Sequence, residues 1–405
     1  MRTLLTGASV YSGNGFVSAD VVTEDGRITD IGPDIGAKAE KVIHCDNFFV
    51  IPGLIDVHVH FREPGAEYKE TILTGSSSAA AGGYSTVLTM PNLSPSPYDL
   101  DGLRPQLAAI EKLGSSIGAH SRVIPYGRIT DGKKVADLEE LAPYVCAFSD
   151  DGVGVQDGAL MEEAMRRAKA LGKLIVAHSE DTNYPPEDPR SEYMQIDRDL
   201  DLAQKTGASY HVCHVSSRES ICLIREAKKQ GIDVTCETAP HYLVFSGEAL
   251  PDEGRFKMNP PIRTAADRDA LLEAVADGTV DMIATDHAPH SAEEKSRGFK
   301  GSLNGILGLE SAFPVMYTQL VEGGVIDVAR LITLMSTAPA QRFGLPGGRI
   351  EAGAAADLAV VDLEEQFRID PSGWKSKGRS TPFEGMDVSG RIMLTMTEGK
   401  IVYER

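Results

Sequence analysis

"GLIDVHVHFREPG" (residues 53–65) runs out of an apolar stretch into two histidines one residue apart, His58 and His60, and then at once into an arginine, Arg62. Residues two apart in a strand point to the same side, so a strand here sets both imidazoles at one strand end, facing one place. What that place is depends on the rest of the chain. Beyond residue 65 the sequence repeats a rhythm of short apolar run, loop and helix-like segment. The strand-like runs are 54–60, 85–92, 122–127, 145–151, 174–180, 210–216, 233–241 and 281–290. Amphipathic segments lie between them at 158–172, 217–231 and 265–278, the last two closed by Gly as helix ends often are. Near-continuous apolar strands alternating with helices predict an α/β fold with a parallel sheet covered on both faces, and eight such units predict a closed (β/α)8 barrel, the TIM barrel. A doubly wound open sheet would call for a Gly-rich nucleotide loop after a strand, and none follows any of these runs.

The chain changes character near residue 50 and again near 345. Residues 1–50 alternate short apolar stretches with turns, "EDG" at 24–26 reading as a hairpin turn, and residues 346–405 do the same. The expected organisation is therefore a barrel domain over 51–345, bracketed by two β-rich ends, 1–50 and 346–405.

Composition excludes several classes of function. The 405 residues are 42% hydrophobic and 24% charged, ordinary for a globular enzyme-sized chain, and no run approaches the roughly 18 apolar residues of a membrane span. A formal net charge of −19 disfavours nucleic acid and anionic membranes as partners, so any anionic substrate has to be met by a few local cations. The five cysteines, Cys45, Cys146, Cys213, Cys222 and Cys236, are scattered without a CxxC pair, which speaks against a disulfide framework and a cysteine zinc site. The start of the chain has neither a signal h-region nor a transit-peptide composition, and the expectation is a cytoplasmic protein.

In a barrel of this kind, chemistry sits on the loops after the carboxyl ends of the strands. Six of the eight runs end there in residues able to ligate or catalyse: His58 and His60, Asp150 and Asp151, His178, His211 and His214, His241, and Asp286 with His287 and His290. A lone HxH pair is usually structural, but convergent donors from separate strands suit zinc or a similar divalent ion. Strand alternation separates His211 from His214, Asp150 from Asp151, and Asp286 from His287. His214, nearer its strand end, is the expected ligand, with His211 packed behind. The number of donors exceeds one tetrahedral site and predicts two ions joined by a carboxylate, chemistry fit for hydrolysing an amide or ester, with Asp286 suited to proton transfer.

These residues carry a resemblance. "DVHVHFREPG", "ATDHAPH" and "GAAADLAVVD" resemble the amidohydrolase superfamily. "HFREPG", "TMPN", "FSDDG", "HVCHVS", "KMNPPIR" and "ATDHAPHSAEEK" are together similar to class I dihydroorotases over essentially the full chain. The resemblance implies a small composite β-sandwich formed by 1–50 and 346–405 beside the barrel. It implies two Zn2+ per subunit, one being the alternative, with His58 and His60 on one ion, His178 and His214 on the other, Asp151 bridging, and Asp286 as ligand and general acid/base. It further implies Arg62, Asn92, Asn259 and His290 as the substrate grip. The implied reaction is reversible opening of dihydroorotate to N-carbamoyl-aspartate, and the implied assembly is a homodimer able to associate with aspartate transcarbamoylase. A hydantoinase- or allantoinase-type activity is the enzyme alternative, and a non-catalytic scaffold is the other. Residues 181–197 are shorter than the family's link there, and "GSLNGILGLES" (301–311) has Ser-Leu-Asn where Ala-Pro is expected.

Overall fold

Two groups of strands divide the structure, a computed structural model that describes residues 1–36, 38–114 and 120–405. The first five are β1 (Arg2–Tyr11), β2 (Phe16–Glu24), β3 (Arg27–Gly32), β4 (Lys41–His44) and β5 (Phe49–Pro52). The next eight are β6 (Leu54–Val59), β7 (Tyr84–Thr89), β8 (Arg122–Pro125), β9 (Phe148–Ser149), β10 (Ile175–Ala177), β11 (Tyr210–Val212), β12 (Val234–Thr238) and β13 (Met282–Ile283). The last three are β14 (Leu358–Arg368), β15 (Asp387–Thr397) and β16 (Lys400–Glu404).

Strands β6 to β13 are the barrel. β6, β7 and β8 pair in parallel, as do β9 to β13 in chain order. Two isolated parallel bridges, Gly127↔Phe148 and Val59↔His287, join these sheets at both edges and close the ring. Each of the eight strand-like runs in the sequence contributes one barrel strand. Ile55, Val57, Leu88, Tyr126, Val176 and Met282 share one buried cluster with Phe343 of the helix Ala338–Phe343, which fills the barrel interior. Leu54, Val87, Ile175, Tyr210 and Ile283 face the other way, into the shell of helices. That double burial explains why the runs read as continuously apolar. Helices Gly158–Ala170, Arg218–Lys229 and Ala265–Asp277 are followed by Gly172, Gly231 and Gly278, each at positive φ.

The remaining eight strands form one sheet in the order β16-β15-β14-β5-β1-β2-β3, with β4 also on β1. The two chain ends meet where β5 pairs with β14, Pro52 opposite Leu358. Leu5, Val21 and Ile28 share a core with Leu358, Val360 and Met396, so the sheet folds over on itself as a small sandwich. Alternate residues of β14, Ala359 and Val361, pack against the barrel instead. The β2–β3 turn is Asp25-Gly26, both at positive φ, the geometry a two-residue hairpin favours.

Candidate active site

Local distortions aim the polar side chains at the barrel mouth. On β6, Ile55 and Val57 face the interior and Val59 faces the helices. The register against β7 slips by one residue between Asp56 and Val59. This bulge reverses the alternation, so that His58 and His60 both turn inward. Asp56 accepts the His58 N–H at 2.9 Å and that of Thr285, tying the bulge to the eighth strand. His214 and Asp286 adopt φ of 34° and 49°. Left-handed backbone is strained for such residues, and here the strain turns the chain sharply at two strand ends.

His58, His60, Asp151, His178, His214 and Asp286 are all buried and converge. Asp151 is the hub. Its Oδ1 lies 3.3 Å from His58 Nε2, 3.4 Å from His178 Nδ1 and 3.5 Å from His214 Nε2, and its Oδ2 lies 3.4 Å from His60 Nε2. Asp286 Oδ1 lies 3.1 Å from His60 Nε2 and 3.6 Å from His58 Nε2, and His178 Nδ1 is 2.9 Å from His214 Nε2. Ligands about 2.0–2.1 Å from a tetrahedral ion stand about 3.3 Å from one another, and these spacings are of that size. His58 Nε2 and Asp151 Oδ1 are buried without a hydrogen-bond partner. Orphaned atoms of that kind are costly unless something else binds them, and the donor set fits divalent cations.

The rings are oriented from behind. His58 Nδ1 faces Glu237 Oε1 at 2.7 Å, His60 Nδ1 faces Asn92 Oδ1 at 2.9 Å, and His178 Nε2 faces Glu180 Oε2 at 2.9 Å. An acceptor on one ring nitrogen places the proton there and leaves the other lone pair for the site. His211, between the helix-facing Tyr210 and Val212, faces the barrel interior below the site beside Phe343 and donates from Nε2 to Glu237 Oε2 at 3.1 Å; the left-handed turn at His214 undoes the alternation expected to put the two histidines on opposite faces. Burial works against charge throughout, yet the partners outweigh it. Asp151 is held well below the ordinary carboxylate range by His58, His178 and His214, and Glu237 falls to about 2 through His211 and His58. His58 is held well above its ordinary value by Asp151, and His178 rises to about 9 through Asp151 and Glu180. The cluster calls for positive charge at its centre.

Other sequence candidates fall around this centre. Asp150 turns away, accepts from Ile129 N and Thr130 N and forms an ion pair with Arg128, pinning the loop after β8. His287 also turns away, its Nδ1 accepting from Gly308 N and Leu309 N. His241 is buried against Tyr242, and burial pushes it down to about 3. Arg62 Nε donates to Pro289 O, and its guanidinium has no carboxylate partner among the described residues. Asn259 Nδ2 donates to Glu180 Oε2 at 2.8 Å. His290 lies in the loop after β13, its Nε2 donating to Asn304 O at 2.7 Å within the 301–311 stretch. Glu237, Glu180 and Asp56 are absent from the sequence reading. An acid inside an otherwise apolar strand was the available signal for Glu237 and Asp56.

A family model, the amidohydrolase family, matches residues 49–402. The chain belongs to this family. Among proteins similar to this amidohydrolase, a dihydroorotase of Brevibacillus brevis (strain 47) is 44% identical over 95% of each chain. A dihydroorotase of Macrococcus caseolyticus is 43% identical over 100% of this chain and 99% of its own. Among solved structures, the L-hydantoinase (dihydropyrimidinase) of Arthrobacter aurescens superposes with a TM-score of 0.89 at 28% identity, covering 99% of this amidohydrolase and 96% of its own chain. The D-hydantoinase of a Thermus species gives 0.86 at 26% identity, covering 99% and 95%.

Proposed function

We propose that this amidohydrolase is a dihydroorotase, opening the ring of dihydroorotate to N-carbamoyl-aspartate and closing it again. The observation that carries the reading is Asp151, whose carboxylate faces all four histidines, Oδ1 turned to His58, His178 and His214 and Oδ2 to His60, with Arg62 nearby. His58, His60 and Asp286 form one ligand set and His178 with His214 the other, Asp151 serving both. Nitrogen and oxygen donors of this mix suit zinc, two ions per chain. Such ions supply polarisation of a carbonyl oxygen and a water of lowered pKa.

The chain's own groups do the rest. Asp286, held below the ordinary carboxylate range against the effect of burial by His60 and His58, is ionised at neutral pH and able to take a proton. In ring opening the water oxygen bonds to the ring carbonyl carbon and the amide C–N bond breaks. Asp286 takes the water's proton and delivers it to the departing nitrogen, and the reverse path closes the ring. Arg62, Asn92, Asn259 and His290 line the ring's side of the site. The dihydroorotase names of the full-length relatives support the substrate, and Arg62 supports a ring that carries a carboxylate.

The test is the loss of dihydroorotate absorbance on adding zinc-loaded protein, with Asp286→Asn as the blank. Turnover by the native chain alone is expected, and native protein with bound metal but no turnover overturns the substrate. Ring opening turns one carboxylate into two and so releases a net proton near pH 7. The opening rate is therefore expected to rise with pH and the closing rate to fall, measured on one sample in both directions. Parallel trends contradict a single reversible site.

A further inference from the structure

Of the four histidines at the centre, His58, His60 and His178 are each turned by a carboxylate or amide oxygen behind the ring. His214 is the exception. It presents Nε2 to Asp151 and His178, and its Nδ1 has no hydrogen-bond partner among the described residues. Its aim therefore comes from its backbone, which stands at φ 34°. A left-handed turn in a residue with a Cβ persists only where the surroundings hold it. On either side of it, Cys213 N donates to Ala177 O and Val215 N to Glu237 O, which ties the turn to the neighbouring strands. Ser216 and Ser217 lie beyond the end of β11, and their N–H groups go elsewhere.

They go to Glu192, a buried acid in the first turn of the helix Arg190–Thr206. Its Oε1 accepts from Ser217 N at 3.0 Å, Ser217 Oγ at 2.9 Å and Ser220 Oγ at 2.6 Å, and both oxygens stand 3.2 Å from Ser216 N. Oε2 also accepts from Ser216 Oγ. The Arg263 guanidinium supplies the countercharge, its Nη2 3.6 Å from Glu192 Oε2 and its Nε donating to Ser216 Oγ at 2.8 Å. Each of these groups is a donor, so an ionised carboxylate satisfies them all, and burying it is tolerable because it is paired and hydrogen-bonded. Capping alone does not call for such an acid. Ser217 already caps the helix Arg218–Lys229 by accepting from Ser220 N.

We propose that Glu192, with Arg263 as its counter-ion, is the positioning residue for His214, holding the left-handed turn that delivers Nε2 to the ion shared with His178. This rests on the two-ion reading of the site and deepens it. The ion of His178 and His214 depends on an acid that touches neither the ion nor its ligands, whereas the ion of His58, His60 and Asp286 does not.

Metal-stripped native protein, Glu192→Gln and Ser216→Ala are titrated with zinc against a chromophoric chelator, and the thermal midpoint of each stripped protein is measured alongside. The binding step that His178→Ala abolishes identifies the ion held through His214. Glutamine keeps the length of the side chain but turns an N–H toward donors, so that ion is expected to bind about 10–100-fold more weakly in Glu192→Gln, with the other within about threefold of native. Ser216→Ala removes one hydroxyl contact and leaves the backbone ones, and a smaller loss at the same ion is expected. A lowered midpoint with both affinities native means that Glu192 only stabilises the fold, and equal losses at both ions mean that it has no particular tie to His214; either result overturns the proposal. Should Glu192→Gln fail to fold, native zinc affinity in Ser216→Ala overturns it instead. Native protein that binds no zinc overturns the reading of the site itself, and the two failures are thereby distinguished.

Discussion

At the scale of single residues the site is a set of imidazoles whose free lone pairs are chosen by carboxylates and an amide behind them. Glu237 is the most informative, because one carboxylate accepts from both His58 Nδ1 and His211 Nε2. Glu237→Gln keeps the shape but offers one acceptor oxygen and one amide donor, so one of the two histidines is left facing an N–H. Metal affinity is expected to fall about 10–100-fold, read by competition with a chromophoric chelator, whereas unchanged affinity contradicts the orienting role. Asp151→Asn is expected to do more, since its oxygens face four histidines: bound metal per chain drops toward zero, and activity with it. The site histidines were legible because strand-end position is a local property of the sequence, whereas alternation only separated Asp150 from Asp151 and the choice of Asp151 came from the family resemblance. Glu237 was not legible. Its contact with His58 spans 179 positions of the chain and crosses the barrel, and nothing in "DVTCETAPH" says which partner lies opposite.

At the scale of elements, the eight barrel strands could be read because both faces are buried, and the helices because Gly closes them. The devices that aim the strand ends could not. The β6 bulge changes which residues face inward without changing the apolar pattern, and the left-handed turns at His214 and Asp286 fall on residues that advertise no such conformation. Packing of the first helix on the first strand end is equally silent. Gly75, in the helix Ile72–Ala81, lies so close to Phe61 that an added Cβ would stand 2.4 Å from Phe61 Cε1. Phe61 is fully buried between His60 and Arg62 in the chain and has nowhere to retreat. Gly75→Ala is thus expected to destabilise by about 1–3 kcal/mol despite Ala's better helix propensity. Phe61 displaced toward the site should weaken activity as well. Thermal unfolding and kcat/KM check this together, and an Ala variant more stable than native contradicts the packing argument.

At the scale of the molecule, the chain's C-terminal part is fastened to the barrel beside the loop that carries Asp286 and His290. The segment between β14 and β15 brings Lys375 N and Ser376 N to Glu310 Oε1 at 2.7 and 3.2 Å, and Ser78 Oγ of the first barrel helix reaches the same oxygen at 2.8 Å. One residue further on, Lys377 N reaches Glu70, and Ser380 O accepts from Leu307 N. The two carboxylates differ in their partners. Burial raises both, but Glu70 faces His287, which together with Ser376 and Thr74 brings it below the ordinary range, whereas Glu310 has neutral donors in contact and is pushed up to about 7. Linkage gives the two opposite signs. The Glu310 contribution is present in full below the unfolded-state value near 4.5 and is lost as pH rises toward 7. That of Glu70 is present above about 4.5 and lost as pH falls below it. Glu310→Gln, which keeps the acceptor oxygen and cannot ionise, is therefore expected to stabilise by roughly 1–2 kcal/mol at pH 8 and to be neutral near pH 4.5. Glu70→Gln is expected to destabilise at pH 8. Thermal midpoints of native protein and both variants across that range decide it. A Glu310→Gln gain that does not shrink as the pH falls would mean that the segment is held by packing alone, and the Glu310 charge would then have no part in fastening the sandwich to the site.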